Sequence, residues 1–406
     1  MVRGSRNPFR ALIIHRNFRR FWIGQTVSLM GTWMQQVGQG WLALELTNDP
    51  FMVGLVAAIG SVPALLISLP AGVLADRVNK LRLVTVVQAL MLLDAAVLWW
   101  LVWSGNVSIG SLLVLTGVHG TLQAVEIPAR QALIVELVGR EDLLDAIALN
   151  SSGFNLARIV GPSVAAVVIA RFGIEWCFAL NAWSYVAVLI GLLRIRLPRW
   201  TVAAVSVRPI EGIRQGLRYI RSTPEVSALI RLAAVFSICG VPYMTLMPVF
   251  ARDVLGLGPS GYGTLLTCVG VGALTGALAL AAFGQRVRPG RMLWVSSHLF
   301  AVILLLLSIV RGPILAAIVL FFAGLTMILT NAVTNGLLQT IAPDEFRGRV
   351  MSVYSLVFIG LSPVGSFVGG GVARVAGVDG AIAVGAGVML LYAFLVFRWR
   401  PVLRAL

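Results

Sequence analysis

The stretch GVLADRVNKLR (72–82) joins two long apolar segments and decides how the chain is interpreted. Its glycine, Gly72, allows close packing, and Asp76 can cap or face a helix N-terminus. Three basic residues share the stretch: Arg77, Lys80 and Arg82. Because Lys/Arg-rich loops stay on the cytoplasmic side of a membrane, the stretch predicts a short cytoplasmic loop between two membrane-spanning helices.

The composition is that of an integral membrane protein. Of 406 residues, 58% are hydrophobic and only 12% are charged, whereas soluble domains carry about 25% charged residues. The net charge of +16 does not predict nucleic-acid binding, because the arginines lie beside apolar segments, where they fix topology and meet anionic lipid head groups. The three cysteines lie inside apolar segments and predict small buried hydrophobic residues, neither a disulfide framework nor a metal site.

The apolar segments predict twelve membrane-spanning helices, each of about 20 residues or more. They lie at 21–46, 52–75, 83–103, 109–130, 146–170, 176–193, 226–250, 258–283, 292–310, 313–338, 350–375 and 378–397. Arginine-rich and arginine-poor connections alternate along them, which places both termini in the cytoplasm of an inner or plasma membrane. The basic N-terminus leads straight into a long apolar segment and predicts that no leader is cleaved.

The widest polar interval divides the chain into two halves. We predict an N-terminal six-helix bundle at 1–193, a cytoplasmic linker at 194–225 and a C-terminal six-helix bundle at 226–406. Within the linker, isoleucines and a leucine share one helical face and arginines another, which predicts an amphipathic helix on the cytoplasmic surface. A solvated linker with some helix is the alternative.

The 72–82 stretch resembles the signature loop of the major facilitator superfamily, in which the aspartate and arginine help to hold the cytoplasmic side shut. Four further stretches resemble the branch that contains the enterobactin exporter and macrolide efflux proteins: PARQA (128–132), NLARIVGP (155–162), EGIRQGLRY (211–219) and PDEFRGRVMS (343–352). The resemblance covers nearly the whole chain. It departs at Ala165 and Ala166, where the antiporter motif of the fifth helix has glycines, and in the second-half loop 284–288, which has no acid.

The resemblance implies an all-α membrane fold of twelve helices, built as two parallel six-helix repeats. It implies secondary active efflux of a small amphipathic molecule, drug-like or siderophore-like, by alternating access with proton antiport. The expected partners are that molecule, protons and the bilayer, without a cofactor, ATP or nucleic acid. The single lysine lies in no phosphate-binding loop. An uptake carrier or a lysophospholipid flippase of the same fold is the alternative, and a membrane enzyme a remote one.

Glycines support a repeat. A short stretch before the fifth helix matches a short stretch before the eleventh. Gly161 of the fifth helix and Gly365 of the eleventh are separated by the same number of residues as these two stretches. Small residues let membrane helices approach closely. We therefore predict that Gly161, Pro162 and Gly365 lie at the contact between the halves; the alternative is that glycine is simply common in membrane helices.

Polar stripes on the first, fourth and tenth helices predict a central substrate cavity, because lipid cannot satisfy such side chains. Methionine and tyrosine of the seventh helix would add apolar surface. The predicted cavity residues are Gln25, Ser28, Thr32, Gln35, Gln36, Gln39, Gln123, Tyr243, Met244, Thr330, Asn331 and Asn335. The alternative for each is a polar bond that joins two helices.

Few ionisable residues lie deep in the apolar segments, and these are the candidates for proton coupling. Asp94 and His119 lie in mid-segment and are favoured together. Glu126 and Arg130 are four residues apart, which predicts a structural ion pair. Arg158 needs a counter-charge, which Glu126 or Asp94 could supply.

Overall fold

Helices form almost all of the chain that the structure describes. The computed structural model describes residues 10–139, 141–195 and 209–405; within these ranges the side chains of Leu69, Val73, Asp76, 209–213 and Gln285 are outside the description. The predicted linker therefore lies partly outside the described residues, at 196–208.

The first half begins with the short α1 (Arg10–Ile14) and continues with six long helices. These are α2 (Arg16–Thr47), α3 (Pro50–Arg77), α4 (Lys80–Trp103), α5 (Ile109–Val138), α6 (Leu143–Phe172) and α7 (Glu175–Leu193). Polar residues cap the starts of α4 and α5. Asn79 caps α4 by accepting a hydrogen bond from the Arg82 backbone N–H, and Ser108 and Ser111 form a reciprocal capping box at the start of α5.

The second half starts with α8 (Pro209–Ser222), which lies within the predicted linker. Its Ile220 is buried, and the ring of Tyr219 stacks on Phe346 with centroids 4.7 Å apart. The remaining helices are α9 (Pro224–Val235), α10 (Pro242–Thr245), α11 (Met247–Val249), α12 (Pro259–Phe283), α13 (Pro289–Ile309), α14 (Pro313–Ile341), α15 (Asp344–Gly360), α16 (Ser362–Trp399) and α17 (Val402–Ala405).

The seventh predicted span, 226–250, lies within one stretch that is long and apolar enough to cross a membrane, Pro224–Val254, but the helix of this stretch is irregular. Two π-helical turns, Phe236–Gly240 and Phe250–Val254, interrupt it. Pro242 follows the first turn and Pro248 precedes the second, and each lacks the backbone N–H of an ordinary helical residue. The helix breaks at Gly377, where φ is 75°, which is between the predicted spans 350–375 and 378–397. The eleventh predicted span is itself divided, because α15 ends at Gly360 and α16 begins at Ser362.

Ten stretches of the described chain are long and apolar enough to cross a membrane. One of them, Asp344–Trp399, has 56 residues and contains two predicted spans. The helix α2 is not among the ten; its 32 residues measure about 48 Å at 1.5 Å per residue, but polar residues interrupt its apolar surface. The all-helical membrane fold is confirmed, and the count of twelve spans stays a prediction.

Contacts divide the chain into two units, which we call unit 1 and unit 2. Unit 1 contains Met1–Gln39 and Leu66–Ser206, and unit 2 contains Gly40–Leu65 and Val207–Leu406. The boundary near 206 lies inside the predicted linker. The segment Gly40–Leu65 joins the second unit, so the predicted division at 193 and 226 stays a prediction.

Close backbone approach holds the helices of each unit together. In unit 1, a Cβ on Gly161 would lie 2.5 Å from the Cβ of Trp33 and 2.9 Å from the carbonyl oxygen of Met30. In unit 2, a Cβ on Gly365 would lie 2.7 Å from the carbonyl oxygen of Ile238. The nearest neighbours of both glycines therefore lie in their own half of the sequence, and Pro162 is buried beside Gly161. Their predicted place between the halves stays untested.

One such approach does connect the two halves of the sequence, within unit 2. A Cβ on Gly54 would collide with the carbonyl oxygen of Ser366 and lie 3.0 Å from the Cα of Gly370. The rings of Phe51 and Phe367 pack edge to face beside it, with centroids 5.2 Å apart. Small residues thus allow α3 and α16 to touch through their backbones.

Candidate functional site

A cavity of about 260 Å³ lies within unit 1, among α2, α4, α5, α6 and α7. It contains five of the predicted cavity residues and one predicted coupling residue: Gln25, Ser28, Thr32, Gln36, Gln123 and Glu126. Its other lining residues are Leu29, Trp33, Gln88, Met91, Ile127, Arg130, Phe154 and Tyr185. Amides, hydroxyls and aromatic rings therefore converge on one volume.

The helical period explains which residues of α2 reach the cavity. Steps of three and four residues place Gln25, Ser28, Thr32 and Gln36 on one face. The neighbouring Gln35 is rotated by about 100° from Gln36. It is 1% exposed and accepts a 2.6 Å hydrogen bond from the Asn181 side chain on α7, outside the cavity lining.

Two other polar residues of α2 join helices together. The Gln39 amide donates to the Thr116 hydroxyl of α5 at 3.3 Å and is outside the cavity lining. The Thr32 hydroxyl, which does line the cavity, lies 3.4 Å from the Tyr185 hydroxyl of α7. Tyr185 is almost fully buried. These bonds fix the helices that form the cavity walls.

An ion pair forms one wall of the cavity. The Nε of Arg130 lies 2.9 Å from the Oε1 of Glu126, and both side chains are less than 10% exposed. Gln88 donates to the same carboxylate oxygen at 3.3 Å, and Arg130 donates to the Asn150 side chain at 3.2 Å. The two charges compensate each other in this buried pair, whereas either partner alone would leave an uncompensated charge.

A second acidic–basic pair lies about one helical turn from the cavity lining. The Nδ1 of His119 lies 3.2 Å from the Oδ2 of Asp94, and both residues are buried. Asp94 is three residues from Met91, and His119 is four from Gln123, so the pair follows the cavity faces of α4 and α5. Within the described part of the chain, the other carboxylate oxygen of Asp94 has no hydrogen-bond partner.

Arg158 is the remaining predicted coupling residue. It is half-buried on α6, one turn from Gly161. Glu126 pairs with Arg130 and Asp94 with His119, and the predicted counter-charge of Arg158 stays a prediction.

The predicted cavity residues of unit 2 are packed among their own helices. Tyr243 is 2% exposed, with its hydroxyl 3.8 Å from the sulfur of Met327. Thr330 donates to the Ser296 hydroxyl at 3.1 Å. The others are half-buried: Met244, Asn331 and Asn335, of which Asn335 accepts a short hydrogen bond from Gln339. They are not part of the unit 1 cavity.

The 72–82 stretch forms the end of α3 and the start of α4. Lys80 makes a 2.8 Å ion pair with Glu136 of α5, a partner that sequence reasoning did not identify. Arg77 is exposed, and Gly72 has open space where a Cβ would lie. The predicted side-chain role of Asp76 lies outside the described residues.

No set of three or more His, Cys, Asp or Glu side chains in the described ranges is arranged to hold a metal ion. The cavity presents amides, hydroxyls, aromatic rings and the Glu126–Arg130 ion pair. A concave site with mixed apolar and polar lining is suited to a small molecule.

Comparison with known proteins places this geometry in context. The chain is 27% identical to the Staphyloferrin A transporter of Staphylococcus aureus over 85% of this chain and 87% of that protein. It is 25% identical to the Multidrug efflux pump Tap of Mycolicibacterium fortuitum, over 83% and 84%. It is 22% identical to the Enterobactin exporter EntS of Escherichia coli, over 93% and 90%.

A solved structure of the peptide transporter POT in complex with sulfate has the same fold, with a TM-score of 0.74 and 14% identity over 99% of both chains. The family described as "Transmembrane secretion effector" matches residues 6–404. The predicted resemblance is thereby confirmed, and so is the prediction that the chain is not an enzyme. The chain belongs to the transmembrane secretion effector family of major facilitator transporters.

Proposed function

We propose that the protein is a secondary active exporter of a small amphipathic molecule, driven by inward proton flow. The observation that carries this proposal is the unit 1 cavity with the Asp94–His119 pair one turn away. Exporters of siderophores and drugs among the relatives support the direction and the kind of substrate.

The lining of the cavity favours a molecule with an apolar body and a few polar groups. Trp33, Phe154 and Tyr185 offer aromatic surface, while the amides of Gln36 and Gln123 offer hydrogen bonds. The volume is near the lower limit of about 300 Å³ for ligand pockets. The cavity therefore accommodates a small molecule or one part of a larger one.

Glu126 and Arg130 give the cavity a way to recognise charge. A cationic group of the substrate would compete with Arg130 for the Glu126 carboxylate, and an anionic group would compete with Glu126 for Arg130. We infer that this pair selects among substrates, while Asp94 and His119 carry the proton.

Proton antiport requires a group that binds protons in one conformation and releases them in another. The Asp94 carboxylate, held against His119 in an apolar environment, is the candidate. The chain would orient both termini and the 194–225 interval toward the cytoplasm, so that protons enter from outside as substrate leaves.

The experiment is substrate flux in proteoliposomes with an imposed pH gradient, using a panel of antibiotics and siderophores. Accumulation opposite to the proton gradient, abolished by a protonophore and not restored by a sodium gradient, supports the proposal. Accumulation in the direction of proton flow would identify an uptake carrier. Transbilayer movement of lysophospholipid instead would identify a flippase.

The 72–82 stretch is proposed as the cytoplasmic gate. The start of α4 in this stretch is ordered, and Lys80 forms an ion pair with Glu136. Both features support a fixed geometry of the loop. Asp76→Asn should slow transport without loss of membrane insertion. Asn79→Gly is the control, because glycine keeps most of the stability of a helix cap. An Asp76→Asn protein that transports at the wild-type rate would remove this assignment.

A further inference from the structure

A second cavity lies in unit 2, at the start of α13 and beside α17. Its volume is about 460 Å³, and its lining contains three arginines and one tryptophan: Arg288, Arg291, Trp294 and Arg404. None of these residues lines the unit 1 cavity. The transport proposal gives this second cavity no role.

The C-terminal helix α17 is held so that Arg404 reaches this cavity. A Cβ on Gly290 would collide with the carbonyl oxygen of Leu403, so the backbones of α13 and α17 touch there. The Leu403 side chain is fully buried. Arg404 is the next residue, so the packing of Leu403 fixes its position.

Aromatic rings orient the Arg404 guanidinium. Its central carbon lies 4.8 Å from the ring centroid of Trp294 and 6.0 Å from that of Phe397. A guanidinium placed over ring faces is held by cation–π attraction while its N–H edges stay available for an anion.

Among the residues that the structure describes, no carboxylate forms an ion pair with the arginines of this cavity, which are Arg288, Arg291 and Arg404. Three guanidinium groups around one cavity favour an oxyanion, and phosphate oxygens match their fork of donors.

Exposed apolar residues next to the cavity indicate the source of the phosphate. Val295 and Val402, which lie close to lining residues along the chain, are 47% and 57% exposed, and Trp399 at the end of α16 is 72% exposed. An apolar border beside a basic cavity fits a lipid, whose acyl chains cover the border while its head group enters the cavity. We propose that this cavity binds the phosphate of an anionic phospholipid.

The test uses the full-length protein purified in detergent and titrated with short-chain phosphatidylglycerol, phosphatidylcholine or inorganic phosphate, with retention measured by native mass spectrometry and thermal shift. We expect phosphatidylglycerol to bind more tightly than phosphatidylcholine. Arg291→Gln and Arg404→Gln should each weaken it about fivefold, the effect of about one arginine near a lipid surface.

The matched control is Arg286→Gln, since Arg286 lies 5.6 Å over the ring of Phe283 and is outside the cavity lining. Unchanged phosphatidylglycerol binding by this variant supports the site. Equal weakening by Arg286→Gln would show diffuse attraction and overturn it. Equal stabilisation by inorganic phosphate and by phosphatidylglycerol at the same concentration would overturn the assignment to lipid.

Discussion

The imidazole of His119 and the carboxylate of Asp94 meet between α4 and α5, with Nδ1 and Oδ2 3.2 Å apart. Both residues are buried, and within the described part of the chain the other carboxylate oxygen of Asp94 has no hydrogen-bond partner. Under the proposed antiport mechanism, this pair carries the proton.

The first prediction concerns that pair. Asp94→Asn and His119→Gln should each retain substrate binding and lose accumulation against a gradient, because each removes a titrating group. The double variant should lose no more than either single variant, since residues in one hydrogen bond are not independent. Proteoliposome flux with an imposed pH gradient measures the effect.

The control for this prediction is His298→Gln, because His298 is half-buried in unit 2 and bonded to the Trp294 carbonyl. Full proton coupling in both Asp94→Asn and His119→Gln would leave the transporter assignment standing and remove these residues from the coupling.

The second prediction concerns Glu126 and Arg130. Arg130→Met should lower the free energy of unfolding by about 3–5 kcal/mol, because it leaves a buried carboxylate uncompensated. Adding Glu126→Gln should recover much of that loss. Thermal unfolding in detergent tests both. The exposed pair of Asp344 and Arg347 is the comparison, and Asp344→Asn should cost at most about 1 kcal/mol.

The third prediction concerns packing at Gly161. Gly161→Val should destabilise the protein and lower its yield in membranes, because its Cβ would lie 2.5 Å from the Cβ of Trp33. Repacking around an added side chain costs about 1–3 kcal/mol. Gly371→Val is the control, since no atom lies within 4 Å of a Cβ there. Equal thermal stability of the two variants would contradict this packing.

The fourth prediction concerns the turn between α2 and α3. Asn48 has a φ of 50°, and its side-chain oxygen accepts a 2.8 Å hydrogen bond from Arg252. Asn48→Gly should lose only that bond. Asn48→Ala should lose the bond and add about 1–2 kcal/mol of left-handed backbone strain. The two melting temperatures should differ accordingly; an alanine variant as stable as the glycine variant would refute the strain.

The fifth prediction concerns orientation in the membrane. In a background without the native cysteines, Asn106→Cys should react with an impermeant thiol reagent from outside intact cells, and Ser222→Cys should not. Both positions are exposed. External labelling at Ser222 would reverse the proposed topology.

Much of the site could be predicted because helical period is visible in sequence. The stripe of Gln25, Ser28, Thr32 and Gln36 follows α2 at steps of three and four, and all four line the cavity. The same pattern could not separate Gln36 from Gln35, because adjacent residues differ only by a rotation that depends on how α2 and α7 pack.

The helical period did not identify every residue that lines the cavity. Gln88 and Tyr185 were not among the predicted cavity residues, because only the packing of α4 and α7 around α2 places them at the cavity. In contrast, Asp94 and His119 were detectable because a charge deep in an apolar segment is unusual. The local interruptions of the seventh span had no periodic signal, since π-helical turns arise from one additional residue in a helix.

Those π-helical turns, Phe236–Gly240 and Phe250–Val254, also make this helix sensitive to changes in length. Deleting one residue within either turn would restore α-helical pairing and rotate everything beyond it by about 100°. Tyr243, now edge-on to Phe300 with centroids 6.0 Å apart, would turn to another face after a deletion in the first turn. Insertions and deletions of single residues here can thus redirect side chains without any substitution.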